Sequence, residues 1–184
     1  TLMKEVTGEI YGGGDMGPVA GSTKVTAMSG SSVEGTIYGG GLRMGAGGTA
    51  TIEIQKDAQL TGTVYGGSNE SGEIKQGTEI KILGTVRKSQ NTAASASDDS
   101  DTSGGSTGTG NSGEANGSGS SGSIYGDGSS CIYGGGRGIR TIVTDTARLN
   151  ISGTVDGDVY GGGSQGTISG DARIEIADGR VTGT

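Results

Sequence analysis

Apolar and polar positions alternate along this chain in short stretches that end on glycine. In one of them Val33, Gly35 and Ile37 fall on one side, Glu34, Thr36 and Tyr38 on the other, and Gly39-Gly40-Gly41 closes it. A period of two is that of a strand with one face buried. The same phrase recurs at 6–14, 60–68 and 155–163. Tyr11, Tyr38 and Tyr65 lie 27 residues apart, as do Tyr133 and Tyr160. A fixed spacing of this size marks a repeat architecture.

A second alternating stretch follows within each repeat: Lys24-Val25-Thr26-Ala27, Thr51-Ile52-Glu53-Ile54, Glu79-Ile80-Lys81-Ile82, Arg148-Leu149-Asn150-Ile151 and Arg173-Ile174-Glu175-Ile176. Stacked turn on turn, Val25, Ile52, Ile80, Leu149 and Ile174 form one inward aliphatic ladder. Ala27, Ile54, Ile82, Ile151 and Ile176 form a second, and the charged residues between them face water. Helices are excluded by the period of two and by frequent glycine. Hairpins would not keep equivalent residues equivalent, so the constant register predicts a coil of parallel strands. Gly35, inward at the centre of its strand, is expected to leave room for the opposite wall of the coil, which predicts a narrow, flattened cross-section.

The pattern breaks after Val86-Arg87. The next residues, from Lys88 to Ser121, are almost wholly Ser, Gly, Thr, Asn, Ala and acids. Such a segment buries too little apolar surface to fold alone and is read as a flexible loop. The repeat resumes twice, at Ile124-Tyr125 and at Ile132-Tyr133. Tyr38 precedes Ile52 by 14 residues, Tyr65 precedes Ile80 by 15, and Tyr133 precedes Leu149 by 16, whereas Tyr125 precedes it by 24. Tyr133 therefore takes the place in the ladder. The predicted fold is an all-β parallel β-solenoid of five to six turns in one domain. Residues 1–87 form its first part, 88–123 a Gly/Ser/Thr-rich insertion and 124–184 its second part. Both ends fall inside the repeat. The expectations are a piece of a longer array, or end turns covered by something else, with end-to-end self-association into a fibre.

Composition narrows the function classes. Of 184 residues 43 are glycine, and the hydrophobic share is 29%, against about 45–50% apolar in ordinary globular domains. Glycine loses the most backbone freedom on folding, so only a regular stack offsets its cost. A net charge of −7 argues against nucleic acid or anionic lipid as partner. No apolar run approaches the roughly 20 residues of a membrane-spanning helix, so no membrane insertion is expected in this segment. The absence of His excludes Ser-His and Cys-His dyads within this chain. Cys131 is the single cysteine, so no internal disulfide forms, and it is read as an inert thiol.

The candidate ligand-binding residues are Tyr11, Tyr38, Tyr65, Tyr133 and Tyr160. Alternation points them away from the aliphatic interior, where a row of aromatics could stack on sugar rings. The competing and favoured reading is a stack packed over the glycine corner. Glu9, Glu34, Asp156 and Asp158 share an outward face and could hold Ca²⁺ or serve a polysaccharide lyase or hydrolase. The acid does not recur on every turn, so a solvated acidic face is favoured. Asp98, Asp99 and Asp101 in the loop lack the pattern of a Ca²⁺ loop. Arg137, Arg140, Arg148 and Arg173 could line a groove for acidic sugars, though paired surface charges are the commoner fate. Thr61, Thr63, Thr182 and Thr184 resemble the flat threonine arrays of ice-binding solenoids, but acids interrupt that face. No catalytic pair, metal ligand set or cofactor is assigned.

The Val-x-Gly-x-Val-Tyr-Gly-Gly-Gly phrase, followed by Gly-x-Ile-x-Gly and x-Ile-x-Ile, resembles the glycine-rich parallel β-helix regions of large bacterial surface proteins of the adhesin type. The resemblance covers nearly all of the chain except 88–131. It implies a right-handed coil, an extracellular location, and a role as stalk or adhesive surface with a glycan or another cell-surface molecule as partner.

Overall fold

The computed structural model describes residues 4–88 and 130–183. The first turn holds β1 (Lys4–Tyr11) and β2 (Thr23–Ala27), and the second β3 (Ser31–Tyr38) and β4 (Ala50–Ile54). The third holds β5 (Gln59–Tyr65), β6 (Ser71–Ile74) and β7 (Thr78–Ile82). The fourth holds β8 (Thr85–Arg87), β9 (Ser130–Tyr133), β10 (Arg140–Val143) and β11 (Ala147–Ile151). The fifth holds β12 (Thr154–Val155), β13 (Gly157–Tyr160), β14 (Thr167–Ile168) and β15 (Ala172–Ile176), and β16 (Arg180–Val181) lies over β12. All pairings between these strands are parallel, and the described residues contain no helix.

Three sheets run along the stack. The first is ordered β1-β3-β5, then β8 with β9, then β12 with β13; the second is β6-β10-β14; the third is β2-β4-β7-β11-β15. Isolated bridges from Val19 to Ala46 and from Ala46 to Ile74 carry the second sheet back to the first turn. Val6 pairs with Val33 and Val33 with Leu60, each a step of 27 residues. The chain is a parallel β-solenoid of five turns, as the periodicity predicts.

The two aliphatic ladders point inward. Ile52, Ile54, Ile80, Ile82, Leu149 and Ile151 are buried with Val33, Ile37, Leu60, Val64, Val86, Ile132 and Val155 in one continuous core. A smaller cluster of Ala46, Ala50, Ile74 and Val143 lies under the second sheet. Ile174 and Ile176, in the fifth turn, are exposed. The outward residues of the third sheet meet across turns, as in the Lys24–Glu53 ion pair at 3.0 Å.

The inward glycines serve a different purpose from the one expected. A Cβ on Gly35 would strike the carbonyl oxygen of Gly8, and one on Gly62 that of Gly35. The backbone crowding these positions therefore belongs to the neighbouring turn and not to the opposite wall. Both glycines have positive φ, +138° and +141°, a conformation that side chains with a Cβ disfavour. The first glycine after each tyrosine is also tightly placed. Gly39 N–H donates to the Tyr65 carbonyl at 2.9 Å, and Gly66 N–H to that of Tyr133 at 2.9 Å, so the inter-turn ladder continues round the corner.

The interrupted turn keeps its register. Thr61 pairs with Arg87, and Val64 with Ile132. On the other side Val155 pairs with Val86 and Gly157 with Ser130. Arg87 and Ser130 thus hold successive positions of one turn, and the chain leaves and returns between them. Tyr65 pairs with Tyr133, the assignment that the spacing to Leu149 required. Residues 89–129, which include most of the expected loop, Asp98, Asp99, Asp101 and Tyr125, lie outside the described residues.

Candidate functional site

The five tyrosines end the strands of the first sheet, at positions that register stacks directly over one another. Their rings follow at centroid distances of 4.9, 5.1, 4.9 and 5.0 Å, with planes within 5–10° of parallel. The spacing is that of the strands, about 4.8 Å. It exceeds the contact distance between carbon atoms, about 3.5–4.0 Å, so parallel rings must slide into offset stacking. Each such pair contributes about 0.5–1.5 kcal/mol beyond its area burial.

Neighbouring rings occupy both faces of Tyr38, Tyr65 and Tyr133. Tyr38 is only 2% exposed and Tyr65 9%, whereas Tyr160 is 45% exposed. The row is therefore a packed spine, lying outside the aliphatic core, with its inner ring faces taken by its own members.

The hydroxyl edge is polar. Tyr11 donates to Glu9 Oε2 at 2.7 Å and accepts from Asn69 Nδ2 at 2.8 Å. Asn69 is buried, and its Oδ1 accepts from Arg137 Nη1 at 3.2 Å. Ser164 lies beside Tyr65, and the buried Cys131 beside Tyr133. Burial raises the pKa of four of the phenols. With Glu9 adding to the effect, that of Tyr11 is pushed up to about 12. Burial likewise pushes Tyr38, Tyr65 and Tyr133 upward.

Glu9 and Cys131 stand two residues before a tyrosine, on the same strand face, and alternation alone places them beside the ring. Asn69, Arg137 and Ser164 were not singled out as its neighbours. They occupy the position after the third residue of the glycine corner, where Asp15 and Leu42 stand in earlier turns. Asn69 reaches Tyr11 across two turns, a contact that no local pattern encodes.

The other candidate groups are dispersed. Glu9, Glu34 and Asp158 lie in strands of the first sheet in turns one, two and five, and Asp156, between β12 and β13, accepts from Thr182 at 3.2 Å. Among the described residues no group of three or more acids or cysteines is placed to hold a metal ion. Arg148 and Arg173 are register partners in the third sheet, Arg140 lies in the second, and Arg137 flanks the tyrosines. The four arginines do not converge. Thr61 is registered with Glu34 and Arg87, and Thr63 with Thr36. Family models, curated proteins and solved structures were compared with the chain, and none matches it.

Proposed function

We propose that this chain is a structural segment of a secreted bacterial surface protein, a scaffold that acts outside the cell by extending that protein and presenting what is inserted into it. The observation that carries this reading is the fourth turn. Arg87 and Ser130 hold successive strand positions although 42 residues separate them in the sequence, and the turns on either side keep their register. A stack whose turns pack mainly on their neighbours accepts such an insertion at little cost elsewhere. The extracellular location rests on the residue phrase shared with adhesin-type β-helices.

Carbohydrate recognition by Tyr11, Tyr38, Tyr65, Tyr133 and Tyr160 has less support, because neighbouring rings cover the faces on which a sugar would stack. Polysaccharide cleavage has less still, since neither the acids nor the arginines converge. The test is to replace 88–129 with an antibody epitope of similar length. The scaffold reading expects antibody binding with an unchanged melting temperature, no saturable binding on a glycan array, and no unsaturated products from acidic polysaccharides. Loss of the fold on replacement, or glycan binding abolished by Tyr160→Ser, overturns it.

A further inference from the structure

The backbone hydrogen bonds that join turns run from one turn to the next. Gly12 N–H donates to the Tyr38 carbonyl, Gly39 N–H to Tyr65 and Gly66 N–H to Tyr133. The backbone of Asn69 follows the same rule: its amide donates to Gly41 in the second turn and its carbonyl accepts from Gly138 in the fourth. Its side chain does not. Nδ2 donates to the Tyr11 hydroxyl in the first turn at 2.8 Å, and Oδ1 accepts from Arg137 Nη1 in the fourth at 3.2 Å. Tyr11, Asn69 and Arg137 thus form one hydrogen-bonded line from the first turn to the fourth, with the buried Asn69 at its centre. Arg137 is the single cation in the row Asp15, Leu42, Asn69, Arg137 and Ser164. Burial raises the pKa of the Tyr38 and Tyr65 phenols, and the Arg137 guanidinium opposes that rise, so its charge acts on the middle of the tyrosine row.

We propose that Tyr11, Asn69 and Arg137 are a strap that binds the first four turns into one cooperative unit and fastens the re-entering chain to it. A stack coupled only between neighbours opens from its ends, one turn at a time. A bond that skips a turn changes this. For the first turn to leave, the buried Asn69 in the third must give up a partner, and a buried polar group left without one is costly. The fourth turn has the greatest need of such a tie. Its β8 and β9 are held side by side by register against β5 and not by a direct peptide link. Arg137, four residues after Tyr133, fixes the returning segment to the third turn and, through Asn69, to the first. The inference concerns the coil itself and stands whatever the chain presents.

The test is native-state amide exchange of the full chain at rising denaturant, followed by nuclear magnetic resonance. The slope of opening free energy against denaturant reports how much surface each opening exposes. The Gly12, Gly66 and Gly134 amides, bonded to the carbonyls of Tyr38, Tyr133 and Tyr160, are expected to converge on one slope. In Asn69→Leu the Gly12 amide should exchange at least about fivefold faster, the equivalent of one buried hydrogen bond, and fall to a shallower slope than Gly66. Arg137→Met, three turns from Gly12, should speed the Gly12 amide in the same direction, which a role confined to the fourth turn would not do. Tyr11→Phe keeps the ring and removes the hydroxyl, and carries the comparison if Asn69→Leu does not fold. A wild-type Gly12 slope already shallower than that of Gly66, a Gly12 amide indifferent to Arg137→Met, or acceleration confined to the third turn in Asn69→Leu overturns the proposal.

Discussion

At Gly62 a methyl group would enter the space of the Gly35 carbonyl oxygen, on a backbone whose φ of +141° already disfavours any side chain. Gly62→Ala is expected to destabilise the coil by about 2–3 kcal/mol. At about 2–4 °C per kcal/mol for a chain of this size, thermal melting detects the loss easily. Ile80 tests the interior: it is fully buried, and Ile80→Ala should cost about 2–5 kcal/mol. Ile176→Ala, on the exposed fifth-turn member of the neighbouring Ile82–Ile151 ladder, should stay within about 0.5 kcal/mol. At this scale the sequence was informative about direction. Alternation put Ile52, Ile80 and Leu149 inside, because strand geometry leaves a side chain only two choices. It could not reveal what Gly35 makes room for, because a missing Cβ does not say which backbone approaches. Nor could it place Asn69 against Tyr11, since that contact depends on side-chain reach across two turns.

Among the elements, β8 and β9 are two pieces of one strand. Deleting 88–129 and joining Arg87 directly to Ser130 is expected to leave the circular dichroism unchanged and the melting temperature equal or higher, because the two residues already hold successive positions against Thr61 and Gly62. Closing a shorter loop also costs less entropy. A product that fails to fold would show that the register across the gap is wrong. The assignment of Tyr133 over Tyr125 was legible because register counts residues forward to Leu149, and a turn tolerates one or two extra residues but not ten. The clean return of the chain at Ser130 was not legible, because the repeat phrase there lacks its usual glycine.

For the whole molecule the stacked phenols set the response to alkali. The folded pKa values of Tyr11, Tyr38, Tyr65 and Tyr133 lie above the ordinary value of about 10, with Tyr11 at about 12, so the folded state holds these protons more tightly than the unfolded chain. The resulting stability is fully present below about pH 10 and is lost as pH rises through the folded values. Thermal melts should be flat from about pH 8 to about pH 10 and fall steeply above it. Phenolate absorbance should rise together with unfolding and not before it. Tyr38→Phe should soften that fall, as it keeps the ring and removes the titrating group.

The stacking of turns can be measured at a single hydrogen bond. The Gly66 amide donates to the Tyr133 carbonyl across the interrupted turn at 2.9 Å, and nuclear magnetic resonance detects such a bond as a scalar coupling between the amide nitrogen and the carbonyl carbon. A coupling from Gly66 nitrogen to Tyr133 carbonyl carbon is predicted. A coupling to Tyr125 instead, or protection of Gly66 by a partner within its own turn, would contradict the stack.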